Sequence, residues 1–407
     1  MATLIKILTN WAYVFYYQGD FKKLLELLTA HEKEAASLND EGKNVMFYAW
    51  IGWAYGVTGK VSIAYERLLK ARDMAEERGD RKALGYALTW LSNIAAFVGK
   101  FDEGLDAGKK AVEIGKSFPS DQYLTFKGLF GVAAVHLNMG DLRSAIADNQ
   151  ALLDYGRKHS DHRSLSAGYG CVGLVHFYKG DIRSALECGE KSLGIARDPF
   201  FVLVCKTFLG GFYLLAGRTV DAEKELREVV DFDERFNVFA VDGLAHLYLA
   251  MLNIIKGQIN EGVKTIERLR DRFSADGHMH GYVLAEQLLG EVYLKMVEGS
   301  GPKSLSLVAR NIPFLLSNLP FADSKAQKHL NEAIKASREI GAKASLCQAY
   351  LNLGLLHRAK KRKDKAMECL SEAARLLGEC EADEFLRQAK EALELLGQPT
   401  GPVGRSE

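Results

Sequence analysis

Proline is scarce in this 407-residue chain. There are only 7, three of them at Pro302, Pro313 and Pro320, so long stretches carry nothing that would interrupt a helix. Net charge is also missing: 53 basic side chains against 52 acidic leave a formal +1. That balance argues against a surface built to hold nucleic acid or anionic lipid. The six cysteines (Cys171, Cys188, Cys205, Cys347, Cys369, Cys380) form no CxxC pair, which excludes a patterned disulfide framework or zinc knuckle and points to reduced thiols. No N-terminal stretch joins a basic run, an apolar core and a cleavage site, and no uninterrupted apolar run reaches about 20 residues. A soluble, cytoplasmic chain is expected, with no membrane span.

What the chain has is punctuation. Glycines at 19, 59, 99, 140, 180, 217 and 257 recur about every 40 residues, each between two runs of helix formers. A helix that ends in a left-handed glycine and reverses leaves this signature. Softer breaks at Gly79-Asp80 and Pro119-Ser120 separate one unit from the next. Each unit therefore reads as two antiparallel helices, and no segment shows the period-two alternation of a strand.

Columns fix the register. Seven residues before each glycine stand Ala12, Gly52, Ser92, Ala133, Gly173, Gly210 and Ala250, all small, as close helix crossings require. Five residues after it come Leu24, Ala64, Gly104, Ala145, Ala185, Ala222 and Gly262. Three residues beyond the first small column, Phe15, Tyr55, His136, His176 and Tyr213 recur. In this arrangement the chain resembles the tetratricopeptide repeat, from about residue 4 to residue 380. Its period is longer than the usual 34 or so residues and similar to the long repeats of bacterial signalling ATPases, cyclase-linked regions and polarity adaptors.

The resemblance implies an all-α fold, an α-solenoid wound as a right-handed superhelix. The pattern resumes at Gly290 and Tyr293, at Ala326 and Leu330, and again at Gly354 and His357, with Lys361 standing where a turn glycine would be. Nine antiparallel helix pairs and a C-terminal capping helix from about Ala382 to Leu396 are expected, as one repeat domain over residues 1–397 with a disordered tail from Gln398 to Glu407. An insertion from Gly299 to Ala322 interrupts the eighth pair. It is too apolar for a wetted loop, and its prolines divide it into two short helical turns. It should fold back on the array, either filling the C-terminal part of the groove as an internal lid or covering an exposed helix end. Filling is preferred, because Leu247, Met251 and Ile254 need cover.

Several motifs dissolve in this register. The GxGxxG string Gly168 to Gly173 lies inside a first helix rather than between strand and helix, so it reads as packing. The Gly299 to Ser304 string lacks the Gly-Lys of a phosphate loop. His278 with His280, and His159 with His162, read as solvated turn histidines rather than metal ligands. The basic run from His357 to Lys365 reads as a solvated turn. No nucleophile–base arrangement appears in a supporting context, so an enzyme is not expected, and neither is any cofactor or metal.

In the family, first helices line the concave face. The residues this places inward are Tyr13, Tyr16, Tyr17, Trp53, Tyr86 and Asn93, followed by Phe97, Phe130, Leu137, Phe177, Tyr178 and Met251. They form an apolar, aromatic stripe suited to a protein or peptide partner, a helix or extended segment. Lys6, Lys127 and Arg358 are too dispersed for the cationic clamp of some chaperone-binding members. The expected function is a non-catalytic protein–protein interaction scaffold. Because repeats begin at Leu4 with no capping segment, the chain reads as the sensor or regulatory region of a larger signalling protein, or else as a free-standing adaptor.

Overall fold

The computed structural model describes residues 1–38, 44–236, 238–239, 243–299 and 305–397, the side chains of 305–308 excepted. The tail from Gln398 onward lies outside them. Among the described residues every regular element is helical. The first five pairs begin with α1 (Ala2–Gln18) and α2 (Phe21–Ala30), extended by the short α3 (Glu32–Ala36). Next come α4 (Val45–Val57) with α5 (Val61–Arg78), α6 (Arg81–Val98) with α7 (Phe101–Lys116), α8 (Gln122–Met139) with α9 (Leu142–His159), and α10 (His162–Lys179) with α11 (Ile182–Ile195). Four more pairs follow: α12 (Pro199–Leu215) with α13 (Thr219–Phe236), and α14 (Leu244–Ile255) with α15 (Ile259–Asp276). The eighth is α16 (Met279–Glu298) with α18 (Ala322–Ile340), split by α17 (Leu305–Asn318), and the ninth is α19 (Lys343–Ala359) with α20 (Lys363–Glu379). Helix α21 (Asp383–Gly397) ends the array. No helix is long and apolar enough to cross a membrane among the described residues.

The turns work as their residue types require. Gly19 adopts φ 71° and its N–H bonds the Tyr16 carbonyl, while the Asp20 N–H reaches back to Phe15, a Schellman closure. The Asp20 side chain then accepts from the Lys23 N–H and caps the next helix. Asp80, Asp121, Asp141, Asp161 and Asp181 cap their helices in the same way. Such a cap stabilises by about 0.5–2 kcal/mol, which is why aspartate follows the turn glycine or serine at these reversals. Lys361 takes the left-handed conformation in place of a glycine, at φ 57°.

Inside each pair the small column does what close crossing demands. A methyl on Gly52, Gly210 or Gly354 would run into Leu68, Leu226 or Leu370, each sixteen residues on, and one on Gly290 into Leu330, forty residues on. The insertion thus adds twenty-four residues without shifting the packing register.

The array closes on itself after five pairs. Helix α1 touches α12, α6 touches α16, α8 touches α19 and α10 touches α21. A seam of mixed chemistry runs between the two coils. The Phe239 N–H donates to the Val57 carbonyl (3.3 Å), and Ser62 Oγ donates to the Asp276 carbonyl (2.7 Å). Ala96, Phe101 and Val135 of the first coil share an apolar cluster with Val283, Ala336, Ile340 and Ala342 of the second. Further along, Arg143 Nε donates to Glu381 (3.0 Å), which Lys179 also reaches (3.4 Å).

The insertion lies outside this closure, which corrects two expectations. None of its described residues enters the groove as a lid. Instead Asn311 donates to the Gly257 carbonyl (2.8 Å) and accepts from the Ile259 N–H (3.3 Å), covering the turn of the seventh pair and the start of α15. Phe314 is buried in the core around α15 and α16. That turn has no further coil to pack on it, so the insertion covers what the seam covers elsewhere. Helix α17 also runs through Pro313 as one segment. Its missing bond would have gone to the carbonyl of Ala309, an exposed residue that solvent can satisfy.

Candidate functional site

Between the coils the first helices enclose a lumen of about 550 Å³. One wall is aromatic, made by Trp53, Trp90, Phe97, Phe130, Phe177 and Tyr178 of the first coil with Phe200, Phe208 and Tyr248 of the second. The rest of the lining is more polar. On α16, His280, Leu284, Gln287, Leu288, Glu291 and Lys295 repeat at helical spacing along a single face, and all border the lumen. Asn93, Asn138, Gln348, Asn352 and Gln388 add carboxamides.

Of the twelve residues placed inward by sequence, seven line this space: Trp53, Asn93, Phe97, Phe130, Leu137, Phe177 and Tyr178. Tyr16 and Tyr86 are buried inside the wall instead, with Tyr16 Oη donating to Asp198 (3.0 Å) and Tyr86 Oη to Asp121 (3.1 Å). Tyr13 packs edge-on against Trp50, and its ring centre lies 4.7 Å away. Tyr17 is half exposed and accepts from Arg163 (3.0 Å). Met251 packs against the core around α14 to α16.

The histidines at 278 and 280 are not solvated, a further correction. His278 is 1% exposed, caps α16 by accepting from the Gly281 N–H (2.9 Å), and stacks on Phe97 of the first coil, 5.2 Å between ring centres. His280 faces the lumen, where desolvation, then the neighbouring His278, pushes its pKa down to about 3. Glu291 is raised above its ordinary value, chiefly by burial, with Lys295 opposing. His159 rests on the Tyr155 ring, and His162 is exposed. Gly168 to Gly173 lie inside α10, where a methyl on Gly173 would strike Phe212.

Lys127, on α8, is the most unusual side chain of the lumen. It is 2% exposed and borders the cavity, with five aromatic rings around its ammonium. The nearest, Phe201 and Phe200, have centres 4.7 and 5.0 Å away, and Tyr123, Phe126 and Phe130 lie at 5.6 to 5.7 Å. Among the described residues it has neither a hydrogen bond nor an ion pair. Desolvation pushes its pKa down to about 7; Asp198 opposes and Arg163 adds to the shift. Asp198 is already engaged by Tyr16 and by the N–H groups of Phe200 and Phe201. A ring face contributes about 0.5–2 kcal/mol to a cation, whereas removing an ammonium from water costs several kcal/mol. Leucine or methionine would fill the position at less cost.

Chemically, the lumen can hold an apolar body with polar groups along one edge. Among the described residues no three His, Cys, Asp or Glu side chains gather as a metal site. The helix pairing, the small columns and the winding together decide the architecture. The fold is that of a tetratricopeptide-type repeat array. The family model of anaphase-promoting complex subunit 5 matches residues 55–97 and 324–398 of the array. No curated protein matches it. Among solved structures, the apo quorum sensor NprR from B. thuringiensis is similar at 14% identity, over 92% of this chain and 98% of that one (TM-score 0.47). A Rap protein complexed with competence and sporulation factor is 14% identical over 91% and 100% (TM-score 0.46). A signal transduction ATPase with a tetratricopeptide repeat sensor, from Pyrococcus horikoshii, is 15% identical over 90% and 55% (TM-score 0.42).

Proposed function

We propose that this array is a non-catalytic interaction scaffold that takes a short apolar segment of another polypeptide into its lumen. The observation that carries the reading is the convergence of seven stripe residues on one lumen that carboxamides also line. Aromatic rings suit apolar side chains, and carboxamides pair with the N–H and C=O groups of an extended backbone. A helix spends its backbone N–H and C=O groups on itself, so the carboxamides favour an extended segment over a helix. As the sensor arm of a larger signalling protein or as a free adaptor, the array would do the same work.

Panning a random heptapeptide library against the protein tests this. The expected binders are rich in aliphatic and aromatic residues and quench the emission of Trp53 and Trp90. They should lose affinity at least tenfold for a Trp53→Ala, Phe177→Ala variant, the scale of an aromatic hot spot. Binders that hold the variant as tightly as the parent would overturn the reading.

A further inference from the structure

We propose that Lys127 is the anion anchor of the lumen, and that the ligand presents a carboxylate on an apolar body. This rests on the lumen being the binding site. Three observations carry it. The Lys127 side chain is buried, it borders the lumen, and no acceptor among the described residues bonds its ammonium. Its five rings belong to α8 and α12, so both coils meet around it and hold the amine in place. A fixed cation with unspent N–H donors, in largely apolar surroundings, attracts a ligand anion more strongly than a wetted lysine would. The apolar wall beyond it then selects what the anion is attached to.

The other charged and titratable groups near this amine are Tyr16 and Tyr17 of α1, Tyr123 of α8, Asp161 and Arg163 at the start of α10, and Asp198 at the start of α12. Asp198 and Asp161 spend their oxygens on helix N–H groups, on Tyr16 and on Arg163. They therefore leave the Lys127 donors to a ligand. Arg163 stays charged at working pH and the tyrosines stay neutral, so Lys127 is the group whose charge changes near neutrality.

Two sources supply the chemistry, a free aliphatic acid or the C-terminus of a short apolar peptide, and matched probes distinguish them. Decanoate is compared with decanol, and the tetrapeptide acid acetyl-Leu-Leu-Phe-Leu with its amide, by quenching of tryptophan emission at pH 6 and pH 8.5. Measurements use the whole chain and a Lys127→Met variant, which removes a buried charge without opening a cavity. The expected result is that the acid of one pair binds roughly ten- to hundredfold tighter than its neutral partner at pH 6. The preference shrinks at pH 8.5 and vanishes in Lys127→Met, and the pair that shows it names the source. The pH arm needs no variant. If acid and neutral partner bind equally in both pairs, the anchor is overturned while the lumen reading stands. If no probe binds although library-selected peptides do, the anchor is overturned as well; if those also fail, the lumen reading falls with it.

Discussion

Gly140 and Gly217 do the same local job. Each ends a first helix in the left-handed conformation, at φ 82° and 73°, and each is followed by the helix that runs back. Their surroundings differ. A methyl on Gly140 would sit 2.5 Å from the Ala344 nitrogen in the second coil, whereas one on Gly217 would meet nothing within 4 Å. The same division runs through the array. Gly19, Gly59, Gly99 and Gly180 face Pro199, Phe239, Ile340 and Glu384 across the seam, while Gly299 faces open space. One residue type at one repeat position thus meets two demands. In the second coil it supplies a backbone angle; in the first it also supplies the clearance that lets the next coil dock.

Substitution separates the two demands. Gly217→Ala should cost roughly 1–2 kcal/mol, the strain of a side chain in the left-handed region. Gly140→Ala adds a clash with packed backbone, for a total of roughly 2–5 kcal/mol in urea denaturation. Equal losses would mean that the coils do not dock in solution. Lys127 sharpens the contrast from the lumen side, because it is desolvated only while α12 lies against α8. Its folded pKa, about 7, is below its unfolded value near 10.5, so between those values the unfolded chain holds a proton that the folded chain lacks. Stability should therefore rise from pH 7 towards pH 10, by on the order of a few kcal/mol, relative to a Lys127→Met variant. A difference curve flat over that window would place the amine in solvent and part α12 from α8.

How far the chain could be read follows from the range of each interaction. The reversal at Gly19-Asp20 and the crossing of Gly52 over Leu68 are settled within one repeat, so spacing alone exposed them. Closure is not local. It depends on small rotations summed over five pairs, and no single repeat announces that Gly140 will meet Ala344. For the same reason His278 resembled a polar turn residue, although Phe97 of the first coil covers it. Lys127 looked like one dispersed cation. Three of its rings, Tyr123, Phe126 and Phe130, were legible at helical spacing, but Phe200 and Phe201 were not. Cys347 and Cys380, scattered in sequence, lie with their sulfurs 3.9 Å apart. The aromatic stripe divided for a related reason: which inward side chains face the lumen and which the wall depends on where the second coil arrives.

Smaller effects test the seam more gently. Tyr16→Phe removes the hydroxyl that bonds Asp198 between α1 and the start of α12 and leaves a buried carboxylate short of a donor, which costs about 1–3 kcal/mol. Tyr213→Phe removes a similar bond to Glu190 within neighbouring pairs, where the carboxylate is half exposed and water replaces the donor. About 1 kcal/mol or less is expected there. Losses of the same size in thermal or urea unfolding would mean that Asp198 is solvated, and hence that the junction is open.

The smallest effect belongs to Glu381, which holds a left-handed backbone at φ 55° and pairs with Arg143 and Lys179 across the seam. Its carboxyl sits below its ordinary value, first because Arg143 bonds the charged form and then because of that cation's field. A depressed carboxylate contributes stability above its unfolded pKa and loses it as pH falls through the folded one. The Arg143 side chain is largely exposed, so water and salt screen the pair. Glu381→Gln keeps the shape and removes the charge. A slight loss of stability is expected at neutral pH and low salt, fading near pH 4 and again in molar salt. The apolar seam around Ile340 should not respond to salt in this way, because its contacts carry no charge. A Glu381→Gln loss that persisted unchanged in molar salt would show this end of the seam to be held by packing rather than by charge. The two coils would then be joined in one manner along their whole length.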